Sequence, residues 1–415
     1  MSCEMATTLR RGPSSPAAPP LEDDNLLAEI LLRLPPLPSS LPRVSAVCKR
    51  WRGLASDPRF SRRFRAHHRR NAPLLGFFIT NIGGTSFQPA LEAPNRIPQG
   101  RFSFPIHAHD VFGCRHGLVL SFHSRRKQLL VWDPVIGDQH RLDIPPGFDT
   151  KVYFISAAVF RAAEDVHDFQ VVLISTSHMQ DTQVVASVYS SKTNIWGNIT
   201  MPTVPPMYVD PQMPAVMLGD SLYWVIDGGS SAILEFDVGR RSLSVIPMPP
   251  EIITDRMAPG DFWVIMAEGG GLGFLLLSGF NAQLWKRKMN SDGVASWVLQ
   301  RTIALDNLLS INSEKERQRP VIRGFAEDNN AVLLRTSIGV FMVQLEPLQF
   351  NKVFESKHCE RYLPYPFEVV YTADKRIDGG HDGAELLQNT LYDWSEWTCC
   401  WDTLIEEVSR AAPGG

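Results

Sequence analysis

The sequence predicts an α+β multidomain chain: a three-helix module at the N-terminus, then an all-β propeller-like repeat domain, then a C-terminal amphipathic helix. Three observations carry this. Residues 21–67 show apolar residues at helical spacing with a capping signal before each run. Residues 74–375 change to short runs of Val, Leu, Ile, Phe, Tyr and Trp separated by Gly, Pro, Asp and Asn, which is strand texture. Within that region, residues 117–146 overlay residues 221–250 without a gap. At 415 residues the chain is too long for one ordinary core, and 44% hydrophobic with 20% charged residues is what folded domains contain.

Residues 1–20 are mostly Ser, Pro, Ala and other residues with little to bury, and read as a disordered tail. Next, Asp23, Asp24 or Asn25 can cap a helix bearing Leu26, Leu27, Ile30, Leu31 and Leu34, which Pro35-Pro36 stops by removing backbone donors. Ser39 or Ser40 caps a second helix with Pro42 in its first turn and a stripe of Val44, Val47, Cys48, Trp51 and Leu54. Asp57-Pro58 opens the third, with Phe60 and Phe64 four apart. Three short helices in so few residues cannot hide every apolar side chain against one another, so part of this set should face a partner.

The same residues resemble the F-box: the Leu-Leu-x-Glu-Ile-Leu helix, the Arg-Leu-Pro turn, Val-Cys-Lys-x-Trp-Arg and Ser-Asp-Pro-x-Phe. The family usually has Pro where this chain has Glu22. The resemblance implies that Leu21, Leu26, Ile30, Leu34, Pro35, Val47, Cys48 and Trp51 include the surface that docks on the Skp-type adaptor of a cullin–RING ubiquitin ligase.

The overall net charge of −3 hides a split, because residues 43–70 carry ten Lys or Arg against Asp57 alone, about +9, leaving about −12 elsewhere. With Phe60 and Phe64 on the buried side, Arg59, Arg62, Arg63, Arg65, Arg69 and Arg70 are expected on a solvated one, and no aromatic interleaving points to nucleic acid. The joint Asn71-Ala72-Pro73 is short enough to make the two modules a semi-rigid pair.

In the repeat, Leu118 matches Leu222, Trp132 matches Phe236, Asp133 matches Asp237, and Pro145-Pro146 match Pro249-Pro250. The aromatic anchors Trp132, Tyr189, Phe236, Trp285 and Phe341 fall roughly fifty residues apart, the period of kelch-like blades. Such a unit buries one face only when a neighbouring sheet covers it, so several blades are expected. The region resembles the F-box-associated domain of plant F-box proteins, through Cys114–Leu118, Trp132–Pro134, Leu222–Trp224, Phe236-Asp237 and Gly324–Glu327.

Residues 376–415 hold eight Asp or Glu against Arg376 and Arg410, and Leu387, Leu391, Trp394, Trp397, Trp401, Ile405 and Val408 recur at helical spacing. An amphipathic helix packed on its own chain through the tryptophans is expected. The start of the sequence lacks a signal peptide's apolar core, no apolar run reaches membrane-spanning length, and six cysteines show no framework spacing, which fits a cytoplasmic or nuclear protein.

Catalytic motifs are missing: there is no GxSxG, HExxH or phosphate loop, and Gly269-Gly270-Gly271 reads as a turn. His107, His109, Cys114 and His116 match no common zinc spacing, and strand alternation would scatter them. The expected function is therefore a noncatalytic, cofactor-free substrate-recognition subunit of an SCF-type ubiquitin ligase. Its repeat domain would bind a protein substrate, on loops such as 202–214 or 305–320. Neither nucleic acid nor membrane is expected as a partner. The alternatives are a propeller-fold enzyme or lectin with an incidental helical domain, or a non-degradative F-box scaffold.

Overall fold

The computed structural model describes residues 23–372, except 82–83, 99, 105–109, 147, 149–152, 162–167, 178–183, 201–207, 211–212, 228–231, 250–251, 253–257, 259, 312–317 and 356–362. The C-terminal helix expected over 384–410 and the tail at 1–20 lie outside these residues.

Helix α1 (Asp24–Leu32) is capped by Asp23, whose carboxylate accepts from the N–H groups of Asn25 and Leu26. Its inward face is Leu27, Ala28, Leu31 and Leu32. The middle helix expected from the sequence is broken in two, α2 (Ser40–Val47) and α3 (Lys49–Ala55). Cys48 sits between them in an extended conformation, and its Sγ accepts from Trp51 N–H at 3.5 Å, so one residue closes α2 and caps α3. The unbroken stripe Val44–Val47–Cys48–Trp51–Leu54 therefore divides: Val44 is buried, Trp51 and Leu54 lean on the core, and Val47 and Cys48 face out. Ser39 does not cap with its side chain. Helix α4 (Pro58–His67) starts on Asp57, which accepts from Arg59 N–H at 2.8 Å, and buries Phe60 and Phe64.

A 3-10 turn (Arg69–Asn71) leads into β1 (Leu74–Asn81) and β2 (Gly84–Pro89). Five units follow, four of four strands and the third of five: β3 (Asp110–Arg115), β4 (Leu118–His123), β5 (Gln128–Trp132), β6 (Gln139–Asp143); β7 (Tyr153–Arg161), β8 (Phe169–Ser177), β9 (Val184–Ser190), β10 (Ile195–Thr200); β11 (Tyr208–Val209) and β12 (Val216–Leu218), both paired with β13 (Ser221–Asp227), then β14 (Ala232–Asp237), β15 (Ser242–Pro247); β16 (Phe262–Met266), β17 (Leu272–Ser278), β18 (Asn281–Met289), β19 (Ala295–Ala304); and, after the short α5 (Leu305–Leu309), β20 (Val321–Ala326), β21 (Ala331–Thr336), β22 (Gly339–Gln344), β23 (Gln349–Phe354). The last strand, β24 (Leu363–Glu368), returns to pair with β1, giving a sheet in the order β2-β1-β24.

The innermost strands neighbour one another around a ring, β24 to β3, β7, β11 and β12, β16, β20 and back to β24. This is a closed six-bladed propeller. Its sixth blade takes its inner strand from the C-terminal side and its next two from the N-terminal side, so ring closure joins distant parts of the chain. Phe367 of β24 is fully buried against Phe78 and Phe102. Ile97 and Phe102, beyond β2, bury in the same core, beside a blade that has three strands among the described residues.

The repeat is visible as equivalent packing. Trp132 and Phe236 end or nearly end the third strands of their blades and are buried, one against Phe78 of the preceding blade and one among Val172, Ala186 and Leu222. The glycines 269–271 form the β16–β17 turn, all three with positive φ, as a turn reading requires.

Candidate adaptor surface and the core that positions it

Leu26 and Ile30 lie one turn apart on α1 and are 41% and 37% exposed, while their neighbours Leu27 and Leu31 are buried. Val47 is 60% exposed, and Cys48 and Pro35 are also exposed. Leu34 and Trp51 are half-buried against the helical core. Leu21 lies outside the described residues. An ion pair between Arg50 and Asp24, 2.8 Å, ties the start of α3 to the start of α1. Arg63 and Glu29, 2.5 Å, tie α4 to the middle of α1. The candidate residues thus separate into an outward group, Leu26, Ile30, Pro35, Val47 and Cys48, and a supporting pair, Leu34 and Trp51.

Beneath α4 the expected solvated arginines split in the same way. Arg59, Arg62 and Arg63 are exposed, but Arg65 and Arg69 turn to the propeller. Arg65 donates to Thr372 Oγ1 at 3.3 Å, and Arg69 donates to the Arg161 carbonyl at 2.5 Å and to His116 Nδ1 at 3.2 Å. The short joint is itself held: Ala72 is buried, its carbonyl accepts from Asn329 Nδ2, and the Pro73 carbonyl accepts from Val369 N–H. On the outer side Ser39 N–H donates to Asn95 Oδ1 at 3.1 Å.

The sequence phrases of the repeat domain converge here. His116 and Gly117, with φ of 52° and 75°, form the two-residue turn between β3 and β4 that suits the twist of a hairpin. A Cβ on Gly117 would come within 2.6 Å of Val369, so the position also needs the smallest residue. Asp133 accepts from the N–H groups of Val135 and Ile136 and holds Arg161 at 2.6 Å, fixing one blade's turn to the next blade's inner strand. Arg161 N–H in turn donates to His116 Nδ1 at 3.0 Å. Burial first, and then the charges of Arg69, Arg115 and Arg161, lower the His116 pKa to about 3, so the ring is neutral and acts as an acceptor at Nδ1.

The central channel is filled by an ion pair. Arg115 makes a two-pronged contact with Glu327, at 2.8 and 2.5 Å, and also donates to the carbonyls of Val159 and Ala215. Glu327 further accepts from Met217 N–H at 3.0 Å. Four blades are laced together at one point, and the cavity beside the pair leaves about 30 Å³ open to water, room for about two or three waters. Nearby, Glu368 accepts from the N–H groups of Asp328 and Asn329. Burial, reinforced by repulsion from Glu327 on Asp328 and from Asp328 on Glu368, raises the pKa values of both.

Among the described residues there is no metal-ligand cluster. His107 and His109 lie outside them, Cys114 is a buried thiol with its pKa pushed up by burial, and His116 belongs to the turn just described. Sequence reasoning singled out Cys114–Leu118, Asp133 and Glu327, and expected Arg69 on a solvated side, which its contacts to Arg161 and His116 overturn; it did not mark Arg161, Asp328 or Glu368, because their roles come from other blades.

Two family descriptions match the chain: "F-box-like" over residues 24–67, and "F-box protein AT5G49610-like, beta-propeller" over residues 110–373. The second spans well over half of it. The chain belongs to this family of F-box proteins. Relatives of this F-box protein in Arabidopsis thaliana include the F-box protein At5g03970, 22% identical with 79% of this chain and 81% of that one covered. The F-box/kelch-repeat protein At3g23880 is 26% identical, with 81% and 90% covered. Among solved structures, the six-bladed Aleuria aurantia lectin aligns at a TM-score of 0.36 and 11% identity, covering 68% of this chain and 98% of that one; the likeness is too loose to bear on function.

Proposed function

We propose that the chain is the substrate-recognition subunit of an SCF-type ubiquitin ligase, noncatalytic and cofactor-free. Leu26, Ile30, Pro35, Val47 and Cys48 dock on a Skp-type adaptor, with Leu21 beside them and Leu34 and Trp51 supporting them. The observation that carries this reading is the outward pair Leu26 and Ile30 on a helix whose other large apolar residues are buried. The propeller holds a protein substrate and contributes proximity: a substrate lysine kept beside a charged conjugating enzyme meets it at high effective concentration. Such a partner places the protein in the cytoplasm or nucleus, and among the described residues no helix is long and apolar enough to cross a membrane.

Strand direction separates the two tasks. The inner strands β3, β7, β20 and β24 all run towards the helical module, since His116, Arg161, Asn329 and Thr372, at or just past their C-terminal ends, bond to Arg69, Ala72 and Arg65. The connections that enter inner strands therefore belong to the other face, where we place the substrate. Of the loops 202–214 and 305–320, residues 202–207, 211–212 and 312–317 lie outside the described residues. The filled channel supports a receptor over a propeller enzyme or lectin, since a ligand there would have to displace the Arg115–Glu327 pair.

The test is adaptor binding by a Leu26→Ala/Ile30→Ala double variant. Exposed positions leave the fold intact, and truncating interface anchors commonly costs about 2 kcal/mol or more, roughly thirtyfold each. Adaptor affinity equal to wild type in a variant with an unchanged melting curve would sink the reading. Adaptor binding without any stabilised protein after ligase inhibition in cells would favour the non-degradative scaffold.

A further inference from the structure

Blade four ends in an outer strand unlike the others. β19 has ten residues, whereas the outer strands β6, β10, β15, β23 and β2 have five or six. Outer strands offer a row of unpaired backbone groups, and natural sheets guard them with brevity, Pro, Gly or charge. β15 has Pro247, β10 has Gly197 and β23 has Lys352. β19 has Arg301 only near its far end, beyond a bulge at Gln300. It pairs only with β18, and no backbone group of Ala295–Leu299 meets another part of the protein among the described residues.

The β18–β19 hairpin is also where exposed apolar side chains gather. Outside the helical module, the large apolar residues exposed among the described residues number seven, and four are on this hairpin: Met289, Val294, Val298 and Leu299. Its charge runs against that of the whole chain. Residues 281–304 carry Lys286, Arg287, Lys288 and Arg301 against Asp292 alone, about +3, while the chain is −3. Lys286 and Arg301 are engaged at Glu268, but Arg287 and Lys288 form no ion pair among the described residues.

We propose that the outer edge of β19 captures an extended segment of a partner protein, with alternating aliphatic and acidic residues, as a fifth strand of blade four. Main-chain pairing along Ala295–Leu299 supplies the attachment. Val298 shares one face of the sheet with Lys288, and Leu299 shares the other with Arg287; an alternating segment therefore sets its aliphatic row beside Val298 and its acidic row beside Arg287, or, shifted by one residue, beside Leu299 and Lys288. β18 runs in the same direction as the inner strands, so the hairpin tip projects on the face that carries the helical module. A segment held there lies on the adaptor's side of the propeller, away from the face proposed for the substrate.

The test uses the full chain and fluorescent ten-residue peptides of alternating Val and Glu, or Val and Lys, each also made with N-methyl groups on alternate residues. The Val–Glu peptide is expected to bind and to slow amide exchange at residues 295–299, and N-methylation to remove binding. Arg287→Glu/Lys288→Glu, both exposed or partly exposed side chains, should weaken the Val–Glu peptide at least tenfold and admit the Val–Lys one, with an unchanged melting curve. The proposal is overturned by no binding, by equal binding of the N-methylated peptide, by protection on another edge instead, or by a dimer in which these amides are already slow, which would give the edge to a second copy.

Discussion

His116 shows how one side chain can report on the joint between the two modules. Its folded pKa, near 3, lies below the ordinary 6.5, so between these values the unfolded chain binds a proton that the native state refuses. The stability it contributes is present above pH 6.5 and is lost as pH falls towards 3. At pH 5 the loss is about 2 kcal/mol. Asn at this position tolerates the positive φ and keeps an acceptor, but does not titrate. In His116→Asn, the stability advantage of wild type over variant, measured by urea unfolding, should therefore shrink by about 2 kcal/mol between pH 7 and pH 5. Arg115 makes a different prediction, because removing one member of a buried pair leaves the other charged and unpartnered. Arg115→Met should cost about 3–5 kcal/mol, and Arg115→Met/Glu327→Met should recover much of that. A double variant no better than the single one would show that the pair is not the main tie.

At the level of elements, the break at Cys48 and the return of β24 matter most. The helical period runs through Val44, Val47, Cys48 and Trp51 without interruption, so periodicity joins what the backbone separates. Turning the chain at Cys48 redirects Trp51 and Leu54 onto the core while Val47, at the end of α2, stays exposed in the proposed docking face. β24 closes the ring with Phe367 fully buried against Phe78 of β1 and Phe87 of β2. Phe367→Ala should cost about 3–5 kcal/mol by leaving a cavity in that blade. Because the lost packing joins the first blade strands to the last, hydrogen exchange should rise in both β1 and β24, where a local defect would raise it in β24 alone.

For the whole molecule, Arg65, Arg69, Asn95, Asn329 and Val369 hold the helices on one face of the propeller through separate contacts. Inserting six Gly-Ser residues between Asn71 and Ala72 would remove the short joint while keeping both modules. Adaptor affinity should not change, whereas small-angle scattering should show a broader distribution of dimensions, as expected for a flexible linker. An unchanged scattering profile would mean that the side-chain contacts alone fix the pair.

What the sequence determined by itself was everything carried by neighbours along the chain. Capping by Asp23 and Asp57 and the alternation of the strands are local, because they depend on residues within a few positions of each other, and the repeat of 117–146 at 221–250 shows by comparing two such local patterns. The number of blades, the closure by β24, the filling of the channel by Arg115 and Glu327, and the turning inward of Arg65 and Arg69 belong to the tertiary structure alone. Arg115 and Glu327 are 212 positions apart, and Arg69 and Arg161 are 92 apart. A burial pattern shows which side of a strand is covered, but the partner that covers it is chosen by how the blades close, and that depends on the whole chain at once.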